Sequence, residues 1–67
     1  MTTTLTVEGM GCEGCEDIVE NALSGVAGVE EATADHEEGV ATVEGDADVE
    51  DLVESVEFAG YEAALAD

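Results

Sequence analysis

The sequence predicts an α+β fold: a two-layer sandwich in which two amphipathic helices cover one face of an antiparallel sheet, in the order β-α-β-β-α-β. Segments that alternate apolar and polar residues mark half-buried strands, and two further stretches repeat apolar residues at helical spacing. Glycines and acidic turn residues punctuate the boundaries. The chain has 67 residues, which predicts one small domain over residues 1–67 with a thin core and no deep catalytic cleft.

The first strand is read from about Thr2 to Val7, where Leu5 and Val7 share one face and Thr4 and Thr6 the other. The first helix is read from Cys15, with Cys15, Ile18, Val19, Ala22, Leu23 and Val26 as its buried stripe and Gly25 and Gly28 as its stop. Glu16 and Asp17 then lie in its first turn, where the helix dipole favours negative charge. Segments 29–35 and 40–44 alternate around the turn His36-Glu37-Glu38-Gly39 and read as a hairpin. Its inward residues, Ala32, Ala34, Ala41 and Val43, are small. A second helix runs from about Asp48 to Phe58, capped by Asp46 or Asp48, with Val49, Leu52, Val53 and Val56 buried. Gly60 ends it, and Tyr61, Ala63 and Leu65 alternate as a last strand. Phe58 lies off the buried stripe, either as an exposed anchor for a partner or folded over the following turn.

Charge excludes several function classes. There are 19 Asp plus Glu, no Lys or Arg and one His, for a net charge of −19. Nucleic acid and anionic membrane surfaces both require cations that this chain lacks. No run approaches the ~20 apolar residues of a membrane span, and the N-terminus has neither the basic nor the apolar region of a signal peptide. A cytoplasmic location is expected. In dilute buffer the carboxylates repel one another, whereas at about 1 M salt the Debye length falls to about 3 Å. The composition therefore points to a cytoplasm rich in KCl, in a salt-loving organism. An acidic surface serving solubility or a basic partner is the competing explanation. The runs Glu30-Glu31 and Glu37-Glu38 match no calcium loop and read as solvated surface.

The only two cysteines sit in Gly9-Met10-Gly11-Cys12-Glu13-Gly14-Cys15, between the first strand and the first helix. Thiolates are soft ligands for Cu(I), Zn(II) and Fe–S clusters, and the two-residue spacer lets both sulfurs converge on one ion. Cu(I) accepts two thiolates in linear coordination, whereas a structural Zn(II) site normally takes four ligands. At a helix start, backbone N–H groups and the dipole favour the Cys15 thiolate, while Glu13, Glu16 and Asp17 oppose it. A thiol redox pair would also use this spacing, although Pro is absent and the surroundings are not those of thioredoxin.

The whole-chain element order, the Gly-Met-x-Cys-x-x-Cys pattern and Gly60-Tyr61-Glu62 before the last strand resemble the heavy-metal-associated domain family. That family comprises small copper chaperones and the metal-binding domains of copper-transporting P-type ATPases. The resemblance implies a ferredoxin-like fold, four antiparallel strands with two helices on one face, and Cu(I) bound by Cys12 and Cys15. It implies that Met10 packs beneath the loop, that Tyr61 lies beside the metal, that Gly11 and Gly14 shape the loop, and that Gly9 and Gly60 form the flanking turns. His36 and Glu13 are the candidates for an extra ligand, His36 being read otherwise as a partly exposed turn residue that stands in for an aliphatic at the hairpin's end. Relatives often carry a cation near the metal and larger aliphatics in place of Ala32 and Ala34, and this chain departs from both habits. The expected role is that of a copper metallochaperone, not an enzyme, passing Cu(I) by thiolate exchange to a P-type ATPase or another acceptor. It is expected as a monomer, or else as a metal-bridged dimer. The same residues would also suit a domain of a copper ATPase or mercuric reductase, or a Zn(II) or Cd(II) site completed by Glu13 or Glu16.

Overall fold

The computed structural model describes residues 1–66 and has the expected order: β1 (Thr2–Glu8), α1 (Glu13–Ser24), β2 (Val29–Asp35), β3 (Val40–Gly45), α2 (Val49–Phe58) and β4 (Glu62–Leu65). The strands form one sheet in the order β2-β3-β1-β4. Every pairing is antiparallel, with Leu5 opposite Ala41 in β3 and Leu65 in β4, and Ala34 of β2 opposite Ala41. This is the four-stranded, two-helix ferredoxin-like arrangement expected.

Alternation along β1 sends Leu5 and Val7 toward the helices, where both are buried with Ala34, Ala41 and Val43. Val19 and Leu23 of α1 and Leu52 and Val56 of α2 meet them from the other layer. Fully burying a large aliphatic side chain stabilises by about 1.5–3 kcal/mol, so the alanines of β2 and β3 leave a thin core that rests mainly on leucines and valines. Ser55 ties the helices together, its hydroxyl donating to the Ala22 carbonyl at 2.6 Å. Gly45 closes the far end of β3, with φ +126°, where a Cβ would collide with the Gly28 carbonyl oxygen.

Two expectations are corrected, at Ile18 and at Asp48. Ile18 is 48% exposed, because α1 faces the sheet through Val19 and Leu23 and position 18 falls on the flank. Leu65 is 51% exposed, since β4 is an edge strand with no strand beyond it. Asp48 occupies the N-cap position of α2 but its side chain makes no capping hydrogen bond. Of the two readings of Phe58, the structure agrees with the exposed one: the ring is 95% exposed at the end of α2. Among the described residues no helix is long and apolar enough to cross a membrane.

Candidate metal centre

The antiparallel order places the β1–α1 loop, the β2–β3 turn and the α2–β4 turn at one end of the sheet. Val7 N–H donates to the Gly39 carbonyl at 2.7 Å, joining the first two of these. Gly9 leaves β1 with φ +105°, and a Cβ there would sit 3.1 Å from the Tyr61 ring, so a side chain is opposed by both backbone and packing. Met10 follows and turns inward, 9% exposed, packed in the core cluster. It anchors the loop from beneath.

Cys12 is extended (φ −163°, ψ 174°) and is the N-cap of α1, which begins at Glu13, two residues earlier than its apolar stripe predicts. The stripe cannot show those two residues because Glu13 and Gly14 are exposed and carry no apolar signal. The acidic residues of the first turn are accordingly Glu13 and Glu16, not Asp17. Cys15 lies one turn in, its N–H donating to the Cys12 carbonyl at 3.1 Å. This brings the two Sγ atoms to 3.7 Å. Cys12 is exposed and Cys15 half-buried, and neither is in a disulfide. A Cβ on Gly14 would lie 3.7 Å from the Cys12 sulfur, so glycine keeps that side of the pair open, whereas Gly11 meets nothing within 4 Å.

Hydrogen bonds set the electrostatics of the pair. The Tyr61 hydroxyl, then the Gly11 backbone and the Cys12 side chain, lower the Cys15 thiol to about 7. The same contact raises Tyr61, since a phenol that donates to a thiolate resists losing its proton. A substantial thiolate fraction at neutral pH follows for Cys15 without any cationic side chain nearby. The fit to a soft ion rests on this donor set: two convergent sulfurs, one readily deprotonated, on an open loop.

Neither Glu13 nor His36 joins the sulfurs, for among the described residues no group of three or more His, Cys, Asp and Glu side chains is arranged to hold a metal. His36 is engaged elsewhere. Its backbone N–H and its Nδ1 both lie 2.7 Å from Glu16 Oε2, and one turn further along α1 the Glu20 carboxylate accepts from Ala34 N–H at 2.8 Å. These two carboxylates satisfy N–H groups of Ala34 near the end of β2 and of His36 in the turn just beyond it, a role that sequence reasoning missed. The signal that could have found it is the i, i+4 spacing of Glu16 and Glu20 on the helix that crosses that edge.

Known proteins resemble this chain in sequence and in fold. The heavy-metal-associated domain profile matches residues 4–62. The chain is 39% identical over 61 residues to a mercuric reductase of Acidithiobacillus ferrooxidans, covering 88% of this chain and 11% of the reductase. It is 38% identical over 64 residues to the copper chaperone CopZ of Bacillus subtilis (strain 168), covering 91% and 93% of the two. The fold superposes with a TM-score of 0.94 on the crystal structure of a copper-binding domain from HMA7, a P-type ATPase, at 35% identity over 98% of this chain and 93% of that one.

Proposed function

The chain belongs to the heavy-metal-associated domain family, and from that premise we propose that it is a metallochaperone carrying Cu(I) between Cys12 and Cys15. The observation that carries this reading is the open sulfur pair 3.7 Å apart with no third donor grouped with it among the described residues. Two thiolates satisfy Cu(I) but leave Zn(II) short of its usual four ligands. The copper chaperone and the copper-binding ATPase domain among its relatives point the same way.

Transfer follows from exposure. A thiolate of an acceptor domain adds to Cu(I) beside the exposed Cys12, giving a three-coordinate bridge, and one of the carrier's own thiolates then leaves. Repetition moves the ion across without releasing it to water. Cys15, half-buried beside the exposed Cys12, is the later sulfur to let go. The acceptor we propose is the metal-binding domain of a copper-transporting P-type ATPase, in a cytoplasm rich in KCl.

The match to mercuric reductase supports a second reading, in which the same pair serves a domain of a longer enzyme and takes Hg(II), another thiolate-seeking ion. Competition separates the metals: reduced protein in molar KCl is titrated with Cu(I), Zn(II) or Hg(II) against chelators of known strength. Retention of one Cu(I) per chain with Zn(II) displaced supports the copper reading, and Zn(II) held in preference to Cu(I) overturns it.

A further inference from the structure

The chain's single histidine is seated on the carboxylate that directly follows Cys15, although 19 acidic residues are available to it. The contact is two-pronged. Both the backbone N–H and the Nδ1 of His36 meet the same oxygen of Glu16 at 2.7 Å. Facing a carboxylate, Nδ1 carries its proton and donates, so one residue holds Glu16 from two directions.

The turn behind His36 is itself fixed. Asp35 Oδ1 accepts from the N–H groups of Glu37 at 2.9 Å and Glu38 at 3.2 Å, and the Asp35 carbonyl accepts from Gly39 N–H at 2.9 Å. Gly39 in turn receives Val7 N–H, the last buried residue of β1 before the cysteine loop. A continuous set of hydrogen bonds thus runs from the end of β1, through the β2–β3 turn, to the first turn of α1. It closes around the loop that carries Cys12 and Cys15. No side chain caps the start of α1, so its first turn depends on contacts such as this one for its orientation.

We propose that the β2–β3 turn is a buttress for the metal-binding loop, and that His36 is a positioning residue which, through Glu16, holds Cys15 and the first turn of α1 in the geometry that pairs the two sulfurs. It acts on metal retention without touching the metal. The proposal rests on the reading of Cys12 and Cys15 as ligands, and it assigns the imidazole a use other than ligation.

Substitution separates positioning from charge and from ligation. Asn places an N–H donor the same number of bonds from the backbone as Nδ1, yet it neither titrates nor offers a soft-metal nitrogen. Phe keeps the ring and loses the donor. In Cu(I) competition with a chelator in molar KCl, His36→Phe is expected to weaken retention roughly tenfold, the scale of losses when the support of a metal ligand is removed. His36→Asn is expected to restore it. In metal-free protein, amide hydrogen exchange should quicken at Glu13–Glu16 in His36→Phe while the amides of Leu52 and Val56 keep their protection, a split that general destabilisation does not produce. Glu16→Met and Glu16→Gln repeat the comparison from the helix side, the Gln oxygen still accepting. Parent-like Cu(I) retention in His36→Phe, or His36→Asn as weak as His36→Phe, overturns the proposal. A parent protein that fails to hold Cu(I) overturns the copper reading instead, and the exchange measurement still decides the positioning.

Discussion

A thiol that ionises near neutral pH in a chain with no lysine or arginine needs a source of stabilisation other than a cationic side chain. Tyr61 is the largest contributor, ahead of the Gly11 backbone and the Cys12 sulfur. Tyr61→Phe removes the hydroxyl and keeps the ring against Gly9, so the Cys15 thiol should rise from about 7 toward its ordinary value. The pH dependence of alkylation of the reduced protein measures this; an unmoved midpoint would contradict the assignment. Both cysteines were legible in the sequence because spacing alone brings their sulfurs together. The partnership of Tyr61 with Cys15 was legible only through the family resemblance, since 46 positions of chain separate two residues that meet by the return of β4 alongside β1. The engagement of His36 left only a faint trace, the i, i+4 spacing of Glu16 and Glu20, because which acidic residue it meets depends on how α1 lies across β2.

At the scale of elements, α1 is held against the β2 edge by carboxylates as well as by its apolar stripe. The backbone N–H of His36, then its imidazole, holds the Glu16 carboxyl below its ordinary value, and the hydrogen bond from Glu16 raises His36. A lowered carboxyl contributes stability above its unfolded value and loses it as pH falls through the folded one. A raised imidazole contributes fully below its unfolded value, near ~6.5, and loses that contribution as pH rises through its folded value. The pair therefore contributes most between the lowered Glu16 value and the raised His36 value. Urea midpoints followed from acid to alkaline pH should decline on the alkaline side of the imidazole range in the parent, and less in His36→Asn, which keeps the donor but does not titrate. Parallel profiles would contradict this linkage. Element order and the hairpin were readable because alternation and helical spacing are local patterns. Ile18 was misplaced for a physical reason: periodicity identifies an apolar position, but only the neighbouring layer decides whether anything covers it.

For the whole molecule, a core built on alanine in two strands must resist the repulsion of 19 carboxylates with no basic side chain but one histidine to offset them. Among the described residues the one ion pair is His36 with Glu16. Screening by salt is then the main remaining means of reducing the repulsion. Circular dichroism during dilution of KCl should show structure at molar salt and progressive loss below it; full structure in salt-free buffer would contradict the argument. The same repulsion would act on a Cu(I)-loaded site, where two thiolates and Cu(I) would together carry a net negative charge beside Glu13 and Glu16. The most direct measurement of the central claim is Cu(I) retention by the Cys12→Ser, Cys15→Ser double variant, reduced and in molar KCl, against a chelator the parent protein outcompetes. The folded double variant should surrender its Cu(I) entirely, and retention equal to that of the parent would refute Cu(I) binding by Cys12 and Cys15.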